Sequence, residues 1–183
     1  MKLEIPGHRA PAVGLEVPLE MLAACHQRIE GQCATLQRLV PHLLVQGADA
    51  DAQAAASAVM RYFDTAARHH HADEEVDLFP ALIESMAGSD AVCLREMTAA
   101  LTREHRELES HWHALRQVLD ELAAGRAAVL DPASVSAFTG LYARHMAREE
   151  EELLPMAARL LSDAELDRIG LAMRARRGLG PGS

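Results

Sequence analysis

The sequence predicts an all-α protein: a four-helix up-down-up-down bundle with a short C-terminal fifth helix. Three observations predict it. First, the 183-residue chain is 49% hydrophobic but only 3% aromatic, so its core must be built from Leu, Ala, Val and Met, a composition that favours helices over sheets. Second, apolar residues recur at steps of three and four between Gly and Pro breaks, the period of an amphipathic helix. Third, the chain repeats itself. Aligned on Pro80 and Pro155, His70 matches His145, Glu74 matches Glu149, Leu78-Phe79-Pro80 matches Leu153-Leu154-Pro155, and Phe63 matches Phe138, at an offset of 75 residues, while His26 and His105 are 79 apart. Marks recurring in the same order describe two helical hairpins folded into one internally two-fold bundle.

The length suits one domain, divided into an irregular N-terminal arm (1–18), the bundle (19–161) and a short helix with a flexible tail (162–183). Pro6, Gly7, Pro11, Gly14 and Pro18 break any helix in the arm, where His8 is expected to be exposed. The first helix opens at Pro18 and carries the stripe Leu22, His26, Ile29, Cys33, Leu36 and Val40; Pro41 marks a bend and Gly47 a stop, with His42 as a capping or exposed residue. Asp49 and Asp51 are N-cap candidates for the second helix, which runs through the His69-His70-His71 cluster, bends at Pro80 and ends near Gly88. Ser89 and Asp90 can cap the third, whose stripe is Leu94, Leu101, His105, Leu108, Trp112, Leu115 and Leu119. Asp131-Pro132 opens the fourth, through Phe138, Leu141 and His145 to about Leu161, and Ser162 with Glu165 reads as the capping box of the fifth. Residues from Arg174 onward are expected to fray.

The chemistry lies in one spacing. With 10 His and 17 Glu in the chain, chance supplies about one His-x3-Glu. There are five: His26/Glu30, His70/Glu74, His71/Glu75, His105/Glu109 and His145/Glu149. Residues four apart stand on one helix face, and four of these pairs fall one to each long helix. A single histidine on an apolar stripe is usually a core residue with a satisfied hydrogen bond; four at once, each backed by a carboxylate, indicate a metal site inside the bundle. Imidazoles and carboxylates without a thiolate set suit iron, manganese or zinc. His26, His70, His105 and His145 are the expected terminal ligands and Glu74 and Glu149 the bridges between two cations; Glu30 and Glu109 are additional ligands or partners that orient the imidazoles. Within the triplet the repeat favours His70, although Asp73 and Glu75 lie four beyond His69 and His71. Glu150 to Glu152 read as a solvated face, and His111 and His113 as surface residues.

The formal charge of -9 argues against a nucleic-acid or anionic-membrane partner. There is no N-terminal signal pattern and no apolar run near 18 residues, so the expected location is cytoplasmic. Cys25, Cys33 and Cys93 make an odd number that fits reduced thiols.

The pattern H, HxxxE, H, HxxxE, with its second and fourth elements running into Leu78-Phe79-Pro80 and Leu153-Leu154-Pro155, resembles the hemerythrin-like, HHE cation-binding family over roughly residues 19 to 161. The resemblance implies an oxo- or hydroxo-bridged centre of two non-haem irons, cycling between Fe2+ and Fe3+, in a four-helix bundle. Ferritin-like di-iron proteins use Glu-x-x-His, which this chain lacks altogether. In one respect it departs from the oxygen-carrying hemerythrins: their third helix carries two histidines four apart, whereas here His105 is followed at that spacing by Glu109. A more anionic or more open centre favours ferric iron and counts against pure oxygen transport.

The resemblance implies a protein that binds or senses O2 or nitric oxide, acting through a separate electron-transfer or signalling partner. The alternatives are a redox enzyme that removes nitric oxide or peroxide or repairs iron centres, with Tyr142 as a proton or hydrogen-bond donor rather than a packing residue, and an iron storage or delivery protein. Phe79, Leu154 and the apolar surface near the proline bends are candidate contacts of a homodimer.

Overall fold

The computed structural model describes residues 17–86, 90–126 and 129–180; the N-terminal arm with His8, the helix end near Gly88 and the cap expected of Ser89 and the Asp90 side chain lie outside the described residues. Every regular element among them is a helix. Helix α1 spans Pro18–Gln46, passes through Pro41 and stops where Gly47 takes φ 69°, a left-handed conformation that glycine adopts without strain. Helix α2 begins at Ala50 with Asp49 as N-cap, its carboxylate accepting from Ala52 N–H and from His42 Nε2 at 2.9 Å. It is not continuous as expected. The α segments Ala50–Asp64, Ala66–Ala72 and Phe79–Ser85 are separated by a break at Thr65 and by a π-helical turn, Asp73–Leu78. The Thr65 hydroxyl donates to the carbonyl of Arg61 at 2.6 Å, a back-bond that bends helices.

Helix α3 is Asp90–Ala123. Helix α4 starts at Pro132 on the Asp131 cap and contains a second π turn, Glu149–Leu153, before Leu154–Leu160. Helix α5 is Asp163–Arg176, opened by the predicted capping box of Ser162 and Glu165. In the two π turns, Phe79 N–H donates to Glu74 O and Leu154 N–H to Glu149 O, directly ahead of Pro80 and Pro155. Proline has no N–H to offer and crowds the carbonyl four residues back, which a wider turn relieves.

Helices α1 to α4 form a closed ring in which each packs on its chain neighbours and α4 returns to α1, while α5 covers α1 and the π turn of α2. Two apolar clusters fill the ring. One contains Ile29, Leu36, Phe63, Leu108, Leu119, Phe138 and Tyr142, the other Leu22, Leu78, Leu82, Leu101, Leu153, Ile169 and Met173. Along each helix the histidine of interest lies where one cluster gives way to the other: His26 between Leu22 and Ile29, His105 between Leu101 and Leu108. The polar residues therefore form one layer sealed by hydrocarbon on both sides.

Arg176 and Arg177, in the stretch expected to fray, are held instead. Arg176 bonds Asp73 and reaches Asp77 at 2.7 Å, and Arg177 meets Asp73 at 2.5 Å. The carboxylate of Asp73 is fully buried, and a buried charge needs this compensation. Phe79 is also buried, its ring stacked on His105 at 6.2 Å, so it offers no surface to a second copy. Among the described residues no helix is long and apolar enough to cross a membrane.

Candidate metal centre

His26, His70, His105, His145, Glu74 and Glu149 come from all four ring helices into one layer, each at most 1% exposed. Glu74 and Glu149 stand at its centre and divide their oxygens between two histidine pairs. Glu74 Oε1 faces His70 Nε2 at 3.4 Å and its Oε2 faces His105 Nε2 at 3.2 Å. Glu149 Oε2 faces His26 Nε2 at 3.1 Å and its Oε1 faces His145 Nε2 at 3.0 Å. Two donor sets result, His26/His70/Glu74/Glu149 and His105/His145/Glu74/Glu149, the donor atoms of each lying within 4.8 Å of one another.

Helix phase explains why two of the predicted carboxylates are here and two are not. Four residues advance an α-helix by about 40° beyond a full turn, so a run of such steps drifts off the inner face. In α1 and α3 the buried stripe corrects for this by stepping three after the histidine, to Ile29 and Leu108, which leaves Glu30 and Glu109 exposed; Glu109 pairs with Arg106 at 2.7 Å. In α2 and α4 the stripe keeps stepping by four, His70, Glu74, Leu78, Leu82 and His145, Glu149, Leu153, Ala157, every member buried. The wider π turns absorb the drift.

Three further carboxylates hold the imidazoles: Glu104, not picked out in the sequence, Glu75, paired there only with His71, and Glu150, placed there on the solvated face. Nδ1–H of His26 donates to Glu150 at 2.9 Å, that of His105 to Glu75 at 2.7 Å, and that of His145 to Glu104 at 2.9 Å. Glu75 and Glu104 are tied in turn to Arg106 and Arg148. A carboxylate on Nδ1 places the proton there and directs the Nε2 lone pair inward, the arrangement of metal-bound histidines. The available signal was adjacency: Glu75, Glu104 and Glu150 each flank a predicted ligand in the chain. His71 is a further buried histidine that the repeat did not select, whereas His69, His111 and His113 keep solvent contact.

The electrostatics call for positive charge. Burial, reinforced by the Glu149 charge, pushes the Glu74 carboxyl well above its ordinary range. Burial opposes ionisation of Glu149 too, yet the imidazoles of His145 and His26, 3.0 and 3.1 Å away, hold it well below the usual value. His26 and His145 are themselves raised, the penalty of burial being outweighed by Glu149. His70, buried and with no such donor bond, is lowered to about 3. Without a cation, protons on Glu74 and on the imidazoles beside Glu149 offset the negative charge of the layer. Meanwhile Nε2 of His26, both nitrogens of His70 and all four oxygens of Glu74 and Glu149 have no hydrogen-bond partner. Unpartnered buried groups of this kind cost about 1–3 kcal/mol each when neutral and more when charged, and bound cations would satisfy those that face the centre of the layer.

Known proteins bear this out at the level of family. The family model described as "Hemerythrin HHE cation binding domain" matches residues 17–157. An uncharacterized protein of Haemophilus influenzae is 34% identical over 160 residues, 87% of this chain and 90% of that protein.

Proposed function

The chain belongs to the hemerythrin HHE cation-binding family, and from that premise we propose that it holds two non-haem iron ions in the His/Glu layer and binds or senses O2 or nitric oxide there. Glu74 and Glu149 are the bridges in this reading, with His26 and His70 as terminal ligands of one ion and His105 and His145 of the other. The observation that carries it is the division of each central carboxylate between two histidine pairs, with every inward oxygen left unpartnered. Manganese or zinc suits the same donors. Iron adds a redox-active site for a diatomic ligand; Phe79, Leu78 and Leu153 keep that layer dry, and Glu75, Glu104 and Glu150 keep its imidazoles aimed.

A second reading, redox turnover of nitric oxide or peroxide or the repair of iron centres, is favoured by a cavity of about 510 Å³ beside the centre, lined among others by Tyr142, His71 and Trp112. That volume exceeds what a diatomic molecule fills. The three unpaired thiols suit the reducing cytoplasm, where an electron-transfer or signalling partner completes the function.

The deciding experiment is anaerobic reduction of the iron-loaded chain followed by O2 and then nitric oxide, watched by visible absorption beside metal analysis. A stable new spectrum at two irons per chain supports binding or sensing. Decay with consumption of added ligand assigns turnover, and a load rising far above two irons assigns storage.

A further inference from the structure

We propose that His71 is an additional nitrogen donor to the cation on the His105/His145 side, which makes the two metal positions unequal. The inference rests on the dinuclear reading above. His71 is 6% exposed and its Nε2 has no hydrogen-bond partner, although the neighbouring buried imidazoles of His26, His105 and His145 each have a carboxylate on Nδ1. Its nitrogen lies within 4.8 Å of donor nitrogens of His105 and His145, and its ring stacks on that of His105 with centroids 4.0 Å apart and planes 12° from parallel.

Consecutive residues of a helix point about 100° apart, so His70 and His71 serve different sides. The His70 ring meets His26 at 4.9 Å, while His71 turns to His105 and His145. One side therefore gathers three imidazoles and the other two, over the same pair of carboxylates. The asymmetry has a second consequence, because His71 also forms the inner wall of the 510 Å³ cavity, with Phe63, Leu108, Trp112 and Tyr142 around it and Arg68 and Arg116 at its rim. As a donor, His71 fills the position of its cation that would otherwise open into the cavity. The cation held by His26 and His70 then has the smaller imidazole set.

The test compares the full-length chain with His71→Ala, His71→Gln and the control His111→Ala, all loaded with ferrous iron under argon. Circular dichroism first establishes that each is folded; His71→Gln preserves most of the side-chain volume should the alanine variant fail. Metal titration and Mössbauer spectra are the readouts, with azide as a probe of open positions. The wild type and His111→Ala should show two inequivalent irons. Both His71 variants should lose one of the two signals to a new one, weaken one of the two Kd values by at least about tenfold, and gain azide binding. Two irons with wild-type spectra, affinity and azide response in His71→Gln would overturn the proposal and leave the dinuclear centre standing. A wild type that binds fewer than two irons removes the dinuclear reading itself.

Discussion

Phe63 and Phe138, equivalent positions of the internal repeat, meet edge to face across the bundle with ring centroids 5.1 Å apart. Trp112 and Tyr142 pack on the same pair, so a chain with few aromatic residues concentrates them next to the polar layer. Both phenylalanines are at most 2% exposed. Phe63→Ala and Phe138→Ala are each expected to cost about 3–5 kcal/mol in urea unfolding of the metal-free protein, the range for large-to-small changes in packed cores. A loss below about 1 kcal/mol would mean that the two halves do not share this contact in solution.

The carboxylates on Nδ1 give a graded prediction about metal affinity. Glu75→Gln, Glu104→Gln and Glu150→Gln should each weaken metal binding about 10–100-fold, because an amide no longer fixes the tautomer and basicity of the imidazole it contacts. Glu30→Gln and Glu109→Gln, whose side chains face solvent, should leave the titration unchanged. Equal effects in both groups would place Glu30 and Glu109 in the centre after all.

Metal uptake should release protons. The raised Glu74, His26 and His145 are protonated to a greater extent without a cation than a ligand can be. Adding metal to lightly buffered protein near neutral pH should therefore acidify the solution, and affinity should increase with pH. Chelation should lower the melting temperature, since a cation bound only by the folded state stabilises it by mass action. An unchanged melt would count against an internal site.

His70 sets an acid limb on the stability of the metal-free chain. Its folded-state value is about 3, against about 6.5 when unfolded, so between those values the unfolded chain binds a proton that the folded one refuses. Stability is undiminished by this group above about pH 6.5 and falls as pH drops toward 3, by about 1.4 kcal/mol per pH unit for one proton. His26 and His145 act in the opposite sense: their raised values contribute stability present below the unfolded value and lost as pH climbs through the folded one. Urea melts of His70→Gln from about pH 4 to 7 should show the acid limb flattened by roughly one proton. An unaltered slope would show that burial does not keep this imidazole neutral.

The clamp on Asp73 predicts a dependence on the end of helix α5. Replacing both Arg176 and Arg177 by alanine leaves a fully buried carboxylate without its two cations, a change of about 3–5 kcal/mol for broken buried pairs. Asp73→Asn in that double variant should recover part of the loss, because the charge and its desolvation disappear together. If the double variant melts like the parent, α5 is not held to α2 by these pairs.

Much of this was legible in the chain. The helix count, the Asp49 and Asp131 caps and the Ser162 capping box depend on local chemistry, which a few neighbouring residues specify. So does the burial of four histidines and two glutamates in one layer, since the repeat marks the same face of equivalent helices. The His-x3-Glu rule overreached at Glu30 and Glu109 because spacing alone ignores drift of the helix phase; an apolar residue three after the histidine, Ile29 or Leu108, was the mark of a stripe turning away.

Sequence by itself determined the inward face of each rod, because periodic burial of apolar side chains is a property of one helix at a time. Only the tertiary structure decided which groups meet. Packing α2 against α3 brings His71 to His105, crossing α3 and α4 brings Glu104 to His145, and folding α5 back brings two arginines to Asp73. Those partners are 34 to 104 positions apart, a separation over which no local periodicity carries information. Whether a buried ionisable group is neutral, paired or poised for a cation follows from exactly such distant neighbours, because solvation and Coulomb interactions depend on distance through space and not along the chain.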